Sequence, residues 1–517
     1  MGAGRRLVNT ADKFQNAAST LEPTTSAGES STYRQILRTS SIVGSAQVVT
    51  LLMGLIRTKA IAVLIGPTGV GIIGIYLSIT ELANTIAGMG IQTSGVRDVA
   101  KSFSENDNTS ISATVHTLRR VCWITGLLGL AILVILSPWI SELSFGTREF
   151  SLAVSVLGLS ILFTSLAGGQ SAILRGTRRI GDLARLQVIG AVLGTVVSIL
   201  LYWWLGLAGI VPSLVLIAFL TLCASNFYAR QVPLTPVRVA WSQTWNHALR
   251  LFSFGSNLMI ASLVATATAY ATRVFLSNDF GLEGVGVYAA AYTLSAIFIQ
   301  FVLQAMGTDF YPRLTAASND HALMTRLINE QTEIGLLLAF PGLLATLAFA
   351  PLAIIVFYTS DFAPAASMLK WFVLGCMGRV VSWPLGYCLL AKGSGVQYAV
   401  LDSLISILQL VLIVVLVSYL GLDGAAIAFA LVCFFHAAVL FVICRYTLSY
   451  GWSPQLIRLF SWMIPLAALC FLVSFSLPQQ YAIPAGIGLS LVSGYLCLRN
   501  LLVHVRPNFR FLDRRQA

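Results

Sequence analysis

Charged residues are scarce in this chain: only 10% of its 517 residues are Asp, Glu, Lys or Arg, whereas 57% are hydrophobic. A water-soluble domain of this length needs a polar surface that such a composition does not supply, so we predict an integral membrane protein. Histidine is rarer still, and the eight cysteines show neither a C-x-x-C pair nor the spacing of a zinc site. The sequence therefore predicts no disulfide framework, no metal centre and no cofactor.

Recognisable catalytic motifs are missing as well. The sequence contains no Walker A pattern for nucleotide phosphates and no nucleophile elbow. Its net charge of +12 is not accompanied by an aromatic RNA-binding motif or a basic recognition helix, which excludes nucleic acid as a partner. We therefore expect a binding or transport function rather than an enzyme.

Long apolar stretches fill most of the chain. A helix needs about 20 predominantly apolar residues to cross the hydrocarbon core of a bilayer. On this criterion the sequence predicts an all-α integral membrane protein with about fourteen transmembrane spans, at 38–65, 70–95, 115–138, 150–174, 183–205, 207–229, 251–276, 285–307, 328–358, 363–390, 396–419, 423–446, 456–477 and 481–503.

Basic residues are concentrated on one side of the predicted spans. Of the 32 Lys and Arg residues, 26 fall in alternate loops and in the two terminal segments, whereas Arg148 falls alone on the opposite side. The positive-inside rule then places both termini in the cytoplasm. Residues 1–33 are polar and lack the apolar region of a signal peptide, so we expect them to form a disordered cytoplasmic tail.

Two glycine-rich segments occur twice in the sequence. Residues 69–76 resemble residues 281–288 at a shift of 212, and residues 205–209 resemble residues 420–424 at a shift of 215. Because six spans return a chain to the side where it started, these matches predict two homologous six-helix lobes of the same orientation. Parallel repeats of this kind occur in transporters that rock one half against the other.

The repeat defines the expected domains. The N-lobe comprises 34–229 and the C-lobe 251–446, and 447–517 adds two peripheral spans and a basic cytoplasmic tail. Between the lobes, 230–250 is too polar to span the membrane, and its large apolar residues recur every fourth position, at Val237, Trp241, Trp245 and Leu249. This spacing predicts an amphipathic interfacial helix that tethers the lobes.

Five cations lie inside the predicted spans: Arg57, Lys59, Arg273, Lys370 and Arg379. A charge in the bilayer is costly unless it faces a wet or paired interior, so an intramembrane cation indicates a functional site. Carboxylates are fewer in the spans. An excess of positive charge in a wet cavity suits a phosphate group, to which arginine offers two parallel charged hydrogen bonds.

Arg57 and Lys59 are two positions apart, about 200° around a helix, so they cannot face the same way. We expect one of them to line a cavity while the other pairs or reaches the membrane interface. Glu81 in the second span is the nearest carboxylate in sequence, and it is the candidate partner.

The other three cations have two interpretations each. Arg273 could extend to the headgroups or face a cavity, and Lys370 favours the headgroups. Arg379 lies too deep to reach the interface, and it either pairs with Asp402 or contacts a substrate.

Four segments carry a family pattern: 57–74, 284–288, 310–314 and 386–392. Together with the repeat and the topology, they resemble the Wzx-type polysaccharide flippases of the MOP superfamily, which translocate O-antigen and enterobacterial common antigen. The resemblance covers about 38–446. It does not extend to the N-terminal tail or to the last two spans.

The resemblance implies a V-shaped pair of lobes that flips undecaprenyl-diphosphate-linked oligosaccharide across a bacterial inner membrane. The implied partners are this lipid-linked glycan, the lipid bilayer and the polysaccharide polymerase machinery, and the chain is expected to act as a monomer. Arg57, Lys59 and Arg273 would be the cations of the substrate cavity. Arg379 and Glu81 complete the set of candidate substrate-binding residues.

Three alternatives remain at this point. A MATE-type multidrug exporter driven by Na⁺ or H⁺ would need buried acids where the first span has Arg57 and Lys59. A lipid II flippase of the same superfamily would also suit fourteen spans. A membrane scaffold that assembles polysaccharide enzymes would be expected to have uncharged spans.

Overall fold

The computed structural model describes residues 26–88, 90–104, 108–233 and 241–513, and every regular element among them is helical. The α-helices, numbered α1 to α14 along the chain, are Ser26–Gly88, Ile91–Ser104, Asn108–Phe145, Ser151–Gly176, Ile180–Leu205, Ile210–Ala229, Trp241–Ala316, His321–Ala348, Ala350–Phe357, Ala365–Ala391, Gly395–Leu420, Asp423–Leu448, Pro454–Ser476 and Gln479–Asp513.

Eleven stretches of the described residues are long and apolar enough to cross a bilayer, and three of them, of 45, 50 and 39 residues, each contain two spans that meet at a glycine. Counted in this way, the described residues contain fourteen candidate membrane spans. Helix α1 holds spans 1 and 2, α3 to α6 are spans 3 to 6, α7 holds spans 7 and 8, α8 with α9 forms span 9, and α10 to α14 are spans 10 to 14. The predicted all-helical membrane fold is confirmed.

The double spans bend at glycines whose backbone conformation other residues avoid. Gly66 has φ 63° and ψ −169°, and Gly281 has φ 69° and ψ −178°. Glycine reaches this region at low cost because it has no Cβ, and Pro67 supplies the φ that suits the first turn of the next helix. We call the side where Gly66 and Gly281 lie the kink end, and the side where α6 ends at Ala229 and α7 begins at Trp241 the linker end.

The lobes repeat at one constant shift of 215 residues. Helix α5, Ile180–Leu205, corresponds to α11, Gly395–Leu420, and the positive-φ glycines Gly206 and Gly421 follow them at equivalent positions. The same shift relates Gly66 to Gly281. The shift of 212 predicted for the first pair is therefore wrong by three residues, because it aligned tyrosines where the fold aligns kink glycines.

The lobes touch at the kink end through two reciprocal glycine contacts. A Cβ on Gly71 would lie 1.9 Å from the Leu282 carbonyl oxygen, and a Cβ on Gly286 would lie 1.9 Å from the Pro67 carbonyl oxygen. Both members of the second contact are related to those of the first by the repeat, so one contact occurs twice about a pseudo-twofold axis. Since only glycine permits this approach, the backbones themselves close the lobes together here.

Large apolar side chains cover the outward faces of the helices, which is the opposite of a soluble fold. The most exposed aromatic residues lie near the ends of spans: Trp203 at 75%, Trp204 at 78%, Tyr419 at 82% and Tyr446 at 87%. Tryptophan and tyrosine prefer the boundary between lipid tails and headgroups. This distribution fits a protein whose solvent is a bilayer.

The N-terminal boundary differs from the prediction. Helix α1 begins at Ser26, so residues 26–33 are helical rather than part of a disordered tail. Ser26 and Glu29 have the spacing of a capping box, which favours a helix start. The rest of the predicted tail, residues 1–25, lies outside the described residues.

The predicted linker helix also differs. Residues 241–250 are the first turns of α7 and continue into span 7, because neither glycine nor proline interrupts the sequence from Trp241 to Phe254. The preceding residues 234–240 lie outside the described part of the chain.

Spans 13 and 14 attach to the C-lobe at span 9. The Asn329 side chain of span 9 donates to the Gly451 carbonyl at 3.0 Å and accepts from the Tyr450 hydroxyl at 2.9 Å. A Cβ on Gly486 of span 14 would lie 2.6 Å from the Ala348 Cβ. These helices therefore add to one lobe only.

Candidate functional site

Arg57 lies on span 1, nine residues before Gly66, which corresponds to a depth of about 13 Å from the kink. Its side chain is partly buried. The guanidinium Nη1 lies 3.8 Å from the position that a Cβ would occupy on Gly194 of span 5. Within the described chain it forms no ion pair or hydrogen bond. An intramembrane cation of this kind is a candidate functional residue.

Lys59 faces the other lobe. Its Nζ donates to the Ile355 carbonyl at 2.9 Å and to the Tyr358 carbonyl, both at the end of span 9. The prediction that Arg57 and Lys59 face different ways agrees with this arrangement. Lys59 lines a second, mostly apolar pocket of about 590 Å³ together with Val356 and Phe357, but its ammonium group already donates two of its three protons to backbone oxygens.

Glu81 does not pair with either cation. Its carboxylate is exposed, and in the described part of the chain it takes part in no ion pair. The expected pairing with Arg57 or Lys59 was based on proximity in sequence. Glu81 lies 15 residues after Gly66, whereas Arg57 and Lys59 lie nine and seven residues before it, so the carboxylate is about 9–12 Å further along its helix from the kink than the cations are. No contact in the structure connects Glu81 with the cations.

Arg273 lies on span 7, eight residues before Gly281, and faces the N-lobe. Its Nη1 donates to the Ala269 carbonyl of its own helix at 3.0 Å. Its Nε is buried with no hydrogen-bond partner and lies 3.7 Å from the position of a Cβ on Gly74 of span 2. The side chain thus reaches the contact between the lobes rather than the headgroups.

Arg379 lies in the middle of span 10 and opens into a cavity of the C-lobe of about 480 Å³. Its side chain is exposed to this cavity, and Tyr292 lies in the lining of the same cavity. Asp402 lies close enough for an electrostatic interaction but forms no ion pair with Arg379 within the described residues. The cavity has a size typical of small-molecule sites, about 300–1,000 Å³.

Aromatic and polar side chains from spans 8, 10 and 12 line this cavity, among them Tyr292, Gln300, Trp383, Tyr387 and Phe429. Trp383 and Tyr387 meet edge to face, with ring centroids 4.7 Å apart. The sequence reasoning missed this aromatic face. The signal was present, because Arg379, Trp383 and Tyr387 recur every fourth residue and so share one side of a helix.

Lys370 does not extend to the headgroups. Its side chain is buried, its Nζ donates to the Ser474 carbonyl at 2.5 Å, and it lies 4.3 Å from the Phe475 ring centroid. This lysine joins span 10 to the end of span 13. It is a structural residue of the C-lobe and takes no part in the two candidate sites.

The described residues therefore place candidate cations in two regions. Arg57 and Arg273 lie on spans 1 and 7 at similar depths near the kink end, and Arg379 lies deeper, in the C-lobe cavity. All three are arginines, whose guanidinium groups remain charged and can bind an anion in two-pronged fashion.

Comparison with known proteins gives a consistent family. A family model described as polysaccharide biosynthesis protein matches residues 60–367, more than half of the chain. The Lipid III flippase of Escherichia coli (strain K12) is 21% identical over 344 residues, which cover 66% of this chain and 82% of that protein.

Two solved structures share the fold. The lipid II flippase MurJ, in an inward closed conformation, superposes with a TM-score of 0.66 at 12% identity, over 90% of this chain and 100% of that one. An inward-facing MATE multidrug transporter of the MOP superfamily superposes with a TM-score of 0.64 at 17% identity, over 79% of this chain and 98% of that one. The chain thus belongs to the polysaccharide biosynthesis protein family and has the MOP fold, which confirms the resemblance to Wzx-type flippases.

Proposed function

We propose that the protein is a flippase that carries undecaprenyl-diphosphate-linked oligosaccharide repeat units across the bacterial inner membrane for cell-surface polysaccharide synthesis. The observation that carries this proposal is the Arg57 guanidinium, which lies at intramembrane depth and has no partner in the part of the chain that the structure describes. The family and the similarity to a Lipid III flippase support the same substrate class.

Each part of such a ligand has a matching region. The diphosphate meets Arg57 and then Arg273, whose buried Nε lacks a hydrogen-bond partner. The sugars occupy the C-lobe cavity, where aromatic faces stack on sugar rings and Arg379 and Gln300 supply hydrogen-bond donors. The prenyl chain remains in the lipid between the lobes, so the protein needs to enclose only the polar head.

The proposed orientation indicates which end of the protein opens on which side of the membrane. The distribution of basic residues supports a cytoplasmic location for the linker end and both termini, and the proposed kink end then faces outward. The glycine contacts close that end in the structure. Alternating access then requires the two repeated lobes to separate at the kink end and to approach each other at the linker end.

The positive charge on spans 1 and 7 argues against the main alternative, a MATE-type exporter. A MATE-type exporter of cationic drugs would need acidic groups where spans 1 and 7 have Arg57 and Arg273. A lipid II flippase would use the same diphosphate site, and it differs from the leading proposal only in the sugars bound. We propose that the protein acts as a monomer and delivers its cargo to the polysaccharide polymerase machinery.

The test is depletion of the protein in its host, followed by mass spectrometry of lipid-linked glycans on the cytoplasmic side. Accumulation of an undecaprenyl-diphosphate oligosaccharide supports the proposal, accumulation of lipid II replaces it with the alternative, and an unchanged lipid pool contradicts both. Alkaline phosphatase fused after residue 280 should be active, and after residue 240 inactive. The reverse result would overturn the orientation.

A further inference from the structure

Lys59 makes a contact that crosses from one lobe to the other. It belongs to span 1 of the N-lobe, and its two acceptors, the carbonyl oxygens of Ile355 and Tyr358, are at the end of span 9 in the C-lobe. The connection spans almost 300 residues of sequence, and it lies at the kink end, on the same side of the molecule as the reciprocal glycine contacts.

The acceptors explain why a lysine suits this position. Ile355 lies in the last turn of α9, Ala350–Phe357, and Tyr358 is the residue that ends this helix. The last carbonyl groups of a helix have no partner within it, and they carry the negative end of the helix dipole. In a bilayer such groups need another donor. An ammonium group satisfies two of them and complements their charge.

Two other lysines use the same chemistry within one part of the molecule. Lys370 donates to the Ser474 carbonyl at the end of span 13, and Lys392 donates to the Thr447 carbonyl at the end of span 12. Neither of these contacts crosses between the lobes. Among the three lysine caps, only that of Lys59 depends on the relative position of the lobes.

The repeat supplies a neutral counterpart on the other side of the pseudo-twofold axis. The Tyr270 hydroxyl of span 7 and the Ser144 hydroxyl at the end of span 3 are 2.7 Å apart. This pair also joins a lobe-lining span of one lobe to the end of a helix in the other. The two contacts therefore flank the glycine contacts, and one is charged while the other is neutral.

We propose that Lys59 is a latch that holds the kink end closed and must leave the α9 carbonyls before the lobes can separate there. This inference deepens the proposed function, because it gives alternating access a specific bond to break. It also assigns Lys59 to the moving contact and leaves Arg57 as the anion-binding residue of span 1.

The experiment measures the opening of the kink end without any ligand. Spin labels are attached at Glu149→Cys, between spans 3 and 4 of the N-lobe, and at Asp361→Cys, between spans 9 and 10 of the C-lobe, and both positions are exposed. Cys223 and Cys433, the native cysteines that are not buried, are replaced by serine. Distances are recorded by pulsed electron resonance on the full chain in lipid nanodiscs. The variants are Lys59→Gln, Lys59→Arg, Tyr270→Phe and, as the matched control, Lys370→Gln.

In the labelled protein with Lys59 unchanged, we expect one short distance between the two spin labels to predominate. Lys59→Gln should raise the ratio of long to short distances by roughly tenfold, since a charged hydrogen-bonded contact is lost from the closed state alone. Tyr270→Phe should have a smaller effect in the same direction. Lys59→Arg, which retains charge and donors, and Lys370→Gln should leave the distribution unchanged.

The latch is excluded if Lys59→Gln gives the same distance distribution as Lys370→Gln. If Lys59→Gln cannot be purified as monodisperse protein, Lys59→Met is measured with the same labels. If Lys59→Arg then opened the kink end as much as Lys59→Met does, a role for the charge of Lys59 would be contradicted. The measurement contains no glycan lipid. Its failure therefore leaves the proposed substrate standing, and failure of the depletion experiment leaves the latch standing.

Discussion

The two lobes share their backbone and differ in their charges. Kink glycines, close-contact glycines and turn glycines of the N-lobe all recur in the C-lobe after 215 residues: Gly66 and Gly281, Gly71 and Gly286, Gly206 and Gly421. The cations do not recur. At the same shift, four of the intramembrane cations correspond to neutral residues: Arg57 to Thr272, Lys59 to Val274, Arg273 to Thr58 and Arg379 to Thr164.

This difference separates two requirements of transport. Rocking requires equivalent hinges and a tight contact on both sides of the axis, which backbone geometry provides and which any side chain at a contact glycine would block. Recognition of one asymmetric lipid-linked glycan requires each lobe to offer different groups. We therefore expect substitutions at paired glycines to act alike in both lobes, and substitutions of the arginines to act differently.

The largest effect is expected for the paired glycines. In Gly71→Ala and Gly286→Ala the new Cβ would lie 1.9 Å from a carbonyl oxygen of the other lobe, so the kink end cannot close in the observed way. Each variant should lose transport almost completely, measured as surface polysaccharide restored to depleted cells. Gly54→Ala is the control, because a Cβ there meets nothing within 4 Å.

Helix propensity alone predicts the opposite result for these glycine variants, namely greater stability. Replacing glycine by alanine within a helix is favourable by about 1 kcal/mol when nothing opposes it. A variant at Gly71 that is more stable and fully active would show that the close contact is not needed. Loss of activity in only one of the two glycine variants would contradict the equivalence of the lobes.

Arg57 should show the next largest effect. Arg57→Ala removes the charged hydrogen bonds to the diphosphate, worth about 1.5–3 kcal/mol each, so transport should fall by about ten- to a hundredfold. Arg57→Lys should recover part of it, since lysine keeps the charge but loses the two-pronged geometry. Because Arg57 has no partner to lose among the described residues, both variants should reach wild-type levels in the membrane, as judged by immunoblot.

The control for Arg57 is Arg148→Gln, a change at an exposed arginine that pairs with Glu142 at 2.8 Å. It should transport normally. Normal transport by Arg57→Ala at wild-type protein levels would remove Arg57 from the site, and disappearance of Arg57→Ala from the membrane would show that its role is structural.

Arg379 should give a smaller and substrate-dependent effect. Arg379→Gln keeps hydrogen-bonding capacity but loses the charge in the C-lobe cavity, and we expect transport to fall by roughly three- to tenfold. Asp402→Asn distinguishes the two sequence-based interpretations of this arginine. If Arg379 contacts the glycan, Asp402→Asn should be nearly neutral, whereas equal losses in both variants would support a structural pair.

Much of the fold was predictable because its signals are local. Short stretches of sequence are enough to recognise apolar spans, basic loops and repeated glycine segments. These features predicted the helical class, the number of candidate spans and the two lobes. The helical start at Ser26 and the continuous α7 were missed because polar composition was given more weight than helix-start chemistry and the absence of breakers.

The partners of the cations were not predictable in the same way. Glu81 was the candidate partner of Arg57 or Lys59 because it is the nearest carboxylate in sequence, whereas the observed acceptors of Lys59 are backbone carbonyls about 300 residues away. Every residue has a carbonyl, so no sequence pattern marks the ones that a helix end leaves free. The Arg379 cavity had a signal in its four-residue spacing, but its depth depends on how spans 8, 10 and 12 pack.

The smallest effect is expected where a lysine cap lies within one lobe and its attached helices. Lys370→Met keeps the length of the side chain but leaves the Ser474 carbonyl without its donor and removes the cation from the Phe475 ring. We expect a loss of about 1–2 kcal/mol in the attachment of span 13, seen as a lower thermal unfolding midpoint, with transport and the distance between the kink-end loops unchanged. Lys59→Met should show the opposite pattern, with altered loop distance and little change in the unfolding midpoint. If both lysines changed the same observable, the distinction between a cap inside a lobe and a cap between lobes would be lost, and the closed kink end would be explained by the glycine contacts alone.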